Sequence, residues 1–114
     1  MKLDSAQREK TRQIARELAA IARSGELLPG TISERLTRCG RPNCACHAEP
    51  PRLHGPYWHW TRKVKNKTVG SYLSREKARE CQHWIENDRR ARELIAALEA
   101  IAIERLETEQ RRDD

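Results

Sequence analysis

Three of the four cysteines and three of the four histidines fall between Arg38 and Trp60. Their spacing is Cys39-x4-Cys44-x-Cys46-His47-x6-His54, set among Gly40, Pro42 and the Gly55-Pro56 pair. Thiolates and imidazoles crowded in this way are the donors of a tetrahedral zinc site, which takes sulfur at about 2.3 Å and nitrogen at about 2.0 Å. Cys39 to Cys44 reads as a knuckle. Gly40 frees the backbone to turn, Pro42 stiffens it, and the freed amides can face a thiolate sulfur. Cys46 supplies the third sulfur. The fourth ligand is His54 or, as the alternative, His47. His54 is preferred because it arrives on a separate arm and closes a loop, whereas His47 beside Cys46 would have to fold back sharply. Four protein donors leave no position for water, so the zinc is expected to be structural.

Catalysis has little else to build on. Cys44-x-Cys46 is not the redox Cys-x-x-Cys spacing, and adjacent residues such as Cys46 and His47 orient poorly for proton transfer. The chain has no phosphate-cradling glycine loop, and no enzyme is expected. Cys81 reads as a core residue beside Trp84, and His83 and His59 as surface or sheet positions. His59 lies close enough in sequence to steady a ligand.

The elements that position these residues come from a chain of 114 residues, 37% apolar, 35% charged and without Phe. Such a chain buries a small core, which a metal or a partner subunit would supplement. No stretch is apolar enough for a membrane span, so a reducing cytoplasm is expected, where clustered cysteines read as metal ligands. The net charge of +6 is unevenly spread. Residues 1–33 carry six basic and four acidic side chains, residues 34–79 eleven and three, and residues 80–114 six and ten. The basic segment is the one with the Cys/His window and most of the aromatics, the electrostatic footprint of a nucleic-acid surface. Its expected phosphate contacts are Arg38, Arg41, Arg52, Arg62, Lys63, Lys65, Lys67 and Arg75, with Trp58 and Trp60 available to stack on bases. Packing against a helix is the competing role for Trp60 and Trp84.

Residues 4–24 read as a helix. Asp4 or Ser5 can cap its start, Asp4 and Gln7 have capping-box spacing, and Ile14, Leu18 and Ile21, widened by Ala15 and Ala22, form one stripe. Gly25 and the Pro29-Gly30 turn end it. Residues 31–38 form a strand candidate, and Cys39 to Pro56 a tight loop ordered by metal. Residues 57–64 and 67–73 form a hairpin around Lys65-Asn66-Lys67. Ser74 caps a helix from Arg75 to about residue 109. Cys81, Trp84 and Ile85 mark its first buried face. Leu94, Leu98, Ile101 and Leu106, flanked by Ile95 and Ala102, mark a second of coiled-coil type.

The expected fold is therefore α+β: an N-terminal helix (residues 1–30), a small zinc-clasped three-stranded antiparallel sheet (31–73) and a long C-terminal helix (74–114), in one compact domain. The long helix would form a helical hairpin or a coiled-coil dimer. Two functions follow, a nucleic-acid-binding module, with DNA favoured over RNA, and a protein-interaction adaptor assembling through its helices as a homodimer or with a partner. Nothing points to a membrane partner.

The run Arg38-Cys39-Gly40-Arg41-Pro42-Asn43-Cys44-x-Cys46-His47 followed by His54-Gly55-Pro56-Tyr57 resembles a bacterial family known as a domain of unknown function. The likeness spans roughly residues 29–105. It implies a Cys/His centre, a hairpin and a helical tail, with an association with mobile genetic elements and no established activity. Residues 55–79 are also similar to the arm-site DNA-binding domains of phage-type tyrosine recombinases, which use a three-stranded sheet and a helix. That likeness implies DNA contact by the sheet, and none of the recombinase catalytic residues has a counterpart here.

Overall fold

The structure, a computed structural model, describes residues 4–113. Helix α1 covers Ser5–Ser24, strand β1 Thr31–Thr37, β2 His54–Val64, β3 Lys67–Leu73 and helix α2 Arg75–Asp113, with one 3-10 turn at Ala45–His47. The class is α+β, with a three-stranded antiparallel sheet in the order β1-β2-β3. Contacts divide the chain into two compact units rather than at the ends of the elements. The first joins the chain up to Leu27 with the chain from Glu86, and the second runs Leu28–Ile85. The first turns of α2 thus belong to the sheet unit and the rest of it to the helical unit.

In the helical unit, α1 starts on the capping box expected from sequence. The Asp4 carboxylate accepts from the Gln7 amide at 2.7 Å, and the Gln7 side-chain oxygen accepts from the Asp4 amide at 3.1 Å. Ile14, Leu94 and Ile101 are buried together, with Leu18, Ile21, Ala97 and Leu98 packed around them. Each buried aliphatic side chain contributes about 2 kcal/mol by leaving water. The second stripe of α2 thus pairs with α1 as a helical hairpin. The stripe is narrower than expected, since Ala15, Ala22, Ile95, Ala102 and Leu106 are exposed. The helices run antiparallel. Asn87 donates to the Ser24 hydroxyl and the Glu26 carbonyl near the end of α1, and Arg90 makes a two-pronged bond to Glu17 at 2.8 and 3.0 Å.

In the sheet unit, β2 and β3 turn over Lys65 and Asn66, both at positive φ (51° and 68°), the two-residue geometry that matches strand twist. Successive strand residues face opposite sides. Ile32, Glu34 and Trp58 share a cleft of about 420 Å³ with Pro56 and with Arg75, Ala78, Arg79 and Gln82, so this face meets the first turns of α2. Ala78, Cys81 and Ile85 are buried there, while Trp84 is half-buried. Cys81 is a core residue, as its position suggested. The segment before β1 is tied in by backbone and ring bonds. Leu28 N–H reaches the Trp84 carbonyl at 3.2 Å, and the Trp60 indole N–H reaches the Pro29 carbonyl at 2.9 Å.

Candidate metal centre

The Cys39–Leu53 segment leaves β1 and returns as β2, and its order comes from a few local bonds. Cys44 N–H closes a turn on the Arg41 carbonyl at 3.2 Å. His47 N–H then bonds the Cys44 carbonyl at 3.0 Å, and Arg52 N–H returns to the Ala45 carbonyl at 3.0 Å. The 3-10 turn aims Cys46 inward, where it is fully buried.

His54 does not sit in a loop, as the glycine and proline after it suggested. It is the first residue of β2 and pairs with Thr37. The register slips there. Arg35 pairs with Tyr57 but Thr37 with His54, so β2 fits one residue more than β1 into the same span. This bulge is where Gly55 is required, at φ +119°. A Cβ there would lie 2.7 Å from the Arg35 carbonyl oxygen. The bulge re-aims the end of β2, a common use of an extra residue near a site.

Cys39, Cys44, Cys46 and His54 bring their ligand atoms within 4.8 Å of one another, a group that could hold a metal ion. The Cys39 and Cys46 sulfurs are 3.6 Å apart, and the Cys44 sulfur lies 3.2 Å from His54 Nε2. Bonds of about 2.3 Å at tetrahedral angles put two sulfurs about 3.8 Å apart, so these donors fit around one ion with small adjustments. The Cys39 amide N–H points at the Cys46 sulfur at 3.3 Å, the amide-to-sulfur contact that a knuckle provides. His47 stands outside. Its Nε2 bonds the Cys39 carbonyl at 2.7 Å and its ring is exposed, so it buttresses the backbone that carries the first ligand.

The thiols differ. The Cys44 thiol is drawn down to about 6, first by the Cys46 amide, then by the thiols of Cys46 and Cys39 and by His54. Burial pushes the Cys46 thiol up, against the pull of the Cys39 amide. A thiolate held at neutral pH beside two further sulfurs and an imidazole is the donor chemistry of a soft or borderline cation.

The cationic residues named from sequence lie on the metal loop (Arg38, Arg41, Arg52), around the turn end of the hairpin (Arg62, Lys63, Lys65, Lys67) and at the start of α2 (Arg75). Arg38, Arg41, Arg52, Arg62, Lys63, Lys65, Lys67 and Arg75 are all exposed. None of them makes a salt bridge among the described residues. Arg62 lies over the Trp60 ring at 5.3 Å, and Lys63 donates to the Thr68 hydroxyl at 2.8 Å. Trp58 takes the inner face of the sheet. Expected to stack on bases, it is half-buried in the cleft between sheet and helix. Sequence reasoning passed over the exposed aromatics, Tyr57 and Tyr72, and over Arg35 of the same outer face. The signal was present in the alternation of β2, where Tyr57 and His59 take the opposite phase to the tryptophans.

Among known proteins, the chain belongs to the family described as Domain of unknown function (DUF6788), which it matches over residues 4–83. The match takes in α1, which the resemblance from residue 29 onward had left out, and stops within α2. No curated protein and no solved structure matches the chain. The comparisons thus add nothing to the arm-site likeness or to the association with mobile elements.

Proposed function

We propose that this member of the family is a small, non-enzymatic nucleic-acid-binding module whose Cys/His centre is a structural zinc clasp, with DNA as the favoured partner. The observation that carries the reading is the unpaired charge of the sheet unit. Eight exposed Arg and Lys side chains on the metal loop, the hairpin and the start of α2 make no salt bridge among the described residues, a concentration of like charge that repels itself unless phosphates or salt screen it. Zinc is favoured by the donor set, three sulfurs and one nitrogen whose ligand atoms lie within 4.8 Å of one another. With all four positions taken by the protein, the ion would hold the Cys39–His54 loop closed and supply folding energy rather than an activated water. A reducing compartment such as the cytoplasm would keep the thiols available.

Two measurements test this. Native mass spectrometry should find one zinc per chain, absent after Cys39→Ser, Cys44→Ser or Cys46→Ser. Anisotropy titrations with duplex and single-stranded oligonucleotides at two salt concentrations should show binding whose log–log salt slope drops by about one for each phosphate-contacting cation removed. No binding at low salt ends the nucleic-acid reading.

A second reading, assembly through the helices, has its own support. Ile95, Ile103 and Leu106 remain exposed on α2, and Ile95, Ala102 and Leu106 recur at spacings that keep them on one stripe. A second copy is the occupant this reading favours, giving a bundle of two helical hairpins. Light scattering across a concentration series tests it, with Ile95→Glu and Leu106→Glu expected to shift the protein to monomer.

A further inference from the structure

The sheet has a face that the α2 contact leaves free. Tyr57, His59 and Lys63 of β2 point to it, with Arg35 from β1 and Tyr72 from β3, as the register dictates. Tyr57 is 43% and Tyr72 59% exposed. Their rings stand edge to face at 6.0 Å, and the His59 ring tilts against Tyr72 at 4.6 Å. Thr37, Tyr57 and Tyr72 line a shallow trough of about 390 Å³. Gly70 makes room for this group. A Cβ there would lie 2.5 Å from His59 Nε2, so any other residue would push the imidazole off the sheet and away from Tyr72.

The charge of this face is one-sided. Glu34 is the only acidic residue in the three strands, and it lines the cleft on the opposite side. Arg35 and Lys63 flank the aromatic group, both exposed and neither in a salt bridge among the described residues. Buried tyrosines would be explained by packing, but these two are solvent-facing and lie between cations. Their chemistry is that of a stacking platform, where π-faces take bases and neighbouring cations take phosphates.

The geometry points to the outer sheet face, centred on Tyr57 and Tyr72 and braced by His59 over Gly70, as a binding site for unpaired nucleobases of single-stranded nucleic acid. This rests on the nucleic-acid reading above and narrows it. Duplex DNA keeps its base faces stacked and offers this surface only phosphates and groove edges, whereas a single strand can lay a base on each ring. DNA and RNA share that chemistry. A peptide partner would find exposed rings too, but the surrounding cations favour a polyanion.

The test uses the full metal-loaded chain and three labelled probes: a twelve-residue oligothymidine, the matching oligouridine and a twelve-base-pair duplex. Wild type should bind both single strands more tightly than the duplex. Tyr57→Ala and Tyr72→Ala, both at exposed positions that should leave the fold intact by circular dichroism, should each weaken single-strand binding by about five-fold or more and leave duplex binding unchanged. Tyr72→Phe keeps the ring and should restore affinity. Arg35→Gln should weaken all probes alike and lower the salt slope by about one. The relative affinities of the thymidine and uridine strands show which sugar the site takes. If the double variant Tyr57→Ala/Tyr72→Ala binds oligothymidine as wild type does, the platform falls while the nucleic-acid reading stands. If wild type binds none of the three probes at low salt, both fall.

Discussion

The two units of this chain handle charge in opposite ways. The helical unit pairs its charges internally. Glu9 holds Arg12 and Arg16, Glu17 and Glu93 hold Arg90, Asp88 holds Arg92, and Arg105 and Arg111 reach Glu109 and Glu107. The sheet unit, with eleven Lys and Arg against four Asp and Glu over residues 28–85, has one such bridge, between Lys77 and Glu80. Surface ion pairs contribute little stability, so the difference says little about folding. It bears on partners. One unit presents a nearly neutral, self-satisfied surface with an aliphatic core, and the other presents free cations on a frame whose core is small and whose longest loop is closed by sulfur and imidazole.

The largest contrast between the units should come from metal removal. Chelation, or Cys46→Ser, takes away binding free energy on the order of 10 kcal/mol for a structural zinc. Hydrogen exchange should then accelerate through residues 31–64 and stay slow in the α1–α2 core. Equal loss of protection in both units would mean that the helical core depends on the metal. Leu94→Ala should do the reverse, costing about 3 kcal/mol through the cavity beside Ile14 and Ile101 while the metal stays bound in native mass spectra.

Gly55→Ala sharpens the comparison inside the sheet unit. The positive φ and the crowding by the Arg35 carbonyl should cost about 1–3 kcal/mol and loosen the metal, because His54 is positioned by that bulge. A chelator competition assay reads the loss. A smaller effect concerns pH in the metal-stripped protein. The Cys44 thiol, lowered from its ordinary 9.0 to about 6, favours the folded state fully above pH 9, and that contribution fades as pH falls through 6. Rapid alkylation immediately after chelation, before the loop opens, should therefore find Cys44 reactive down to about pH 6 and Cys46 slower.

Much of this organisation is legible in residue order. The Asp4–Gln7 capping box, the Ile14–Leu18–Ile21 stripe and the alternation after Tyr57 each rest on local rules and appear where those rules put them. The three cysteines were legible because few structures crowd thiols so closely. What was hidden depends on packing. Gly55 and Pro56 read as loop residues, yet a bulge lets β2 start at His54, and no local signal announces which strand carries an extra residue. Alternation separates Trp58 and Trp60 from Tyr57 and His59 without saying which set meets α2. The tryptophans, being larger and more apolar, take the inner side and leave the tyrosines outside. Ala15, Ala22, Ile95 and Ala102 read as part of an apolar stripe, but two helices in contact bury a narrower strip than that stripe offers.

The central claim is that the ligand-binding surface lies on the metal-clasped sheet and not on the helices. Hydrogen exchange of the zinc-loaded chain, with and without saturating oligothymidine, tests it most directly. The account expects new protection at residues 31–38 and 57–73, with α1 and the second half of α2 unchanged. Protection confined to the helices, with the strands unaffected, would contradict it.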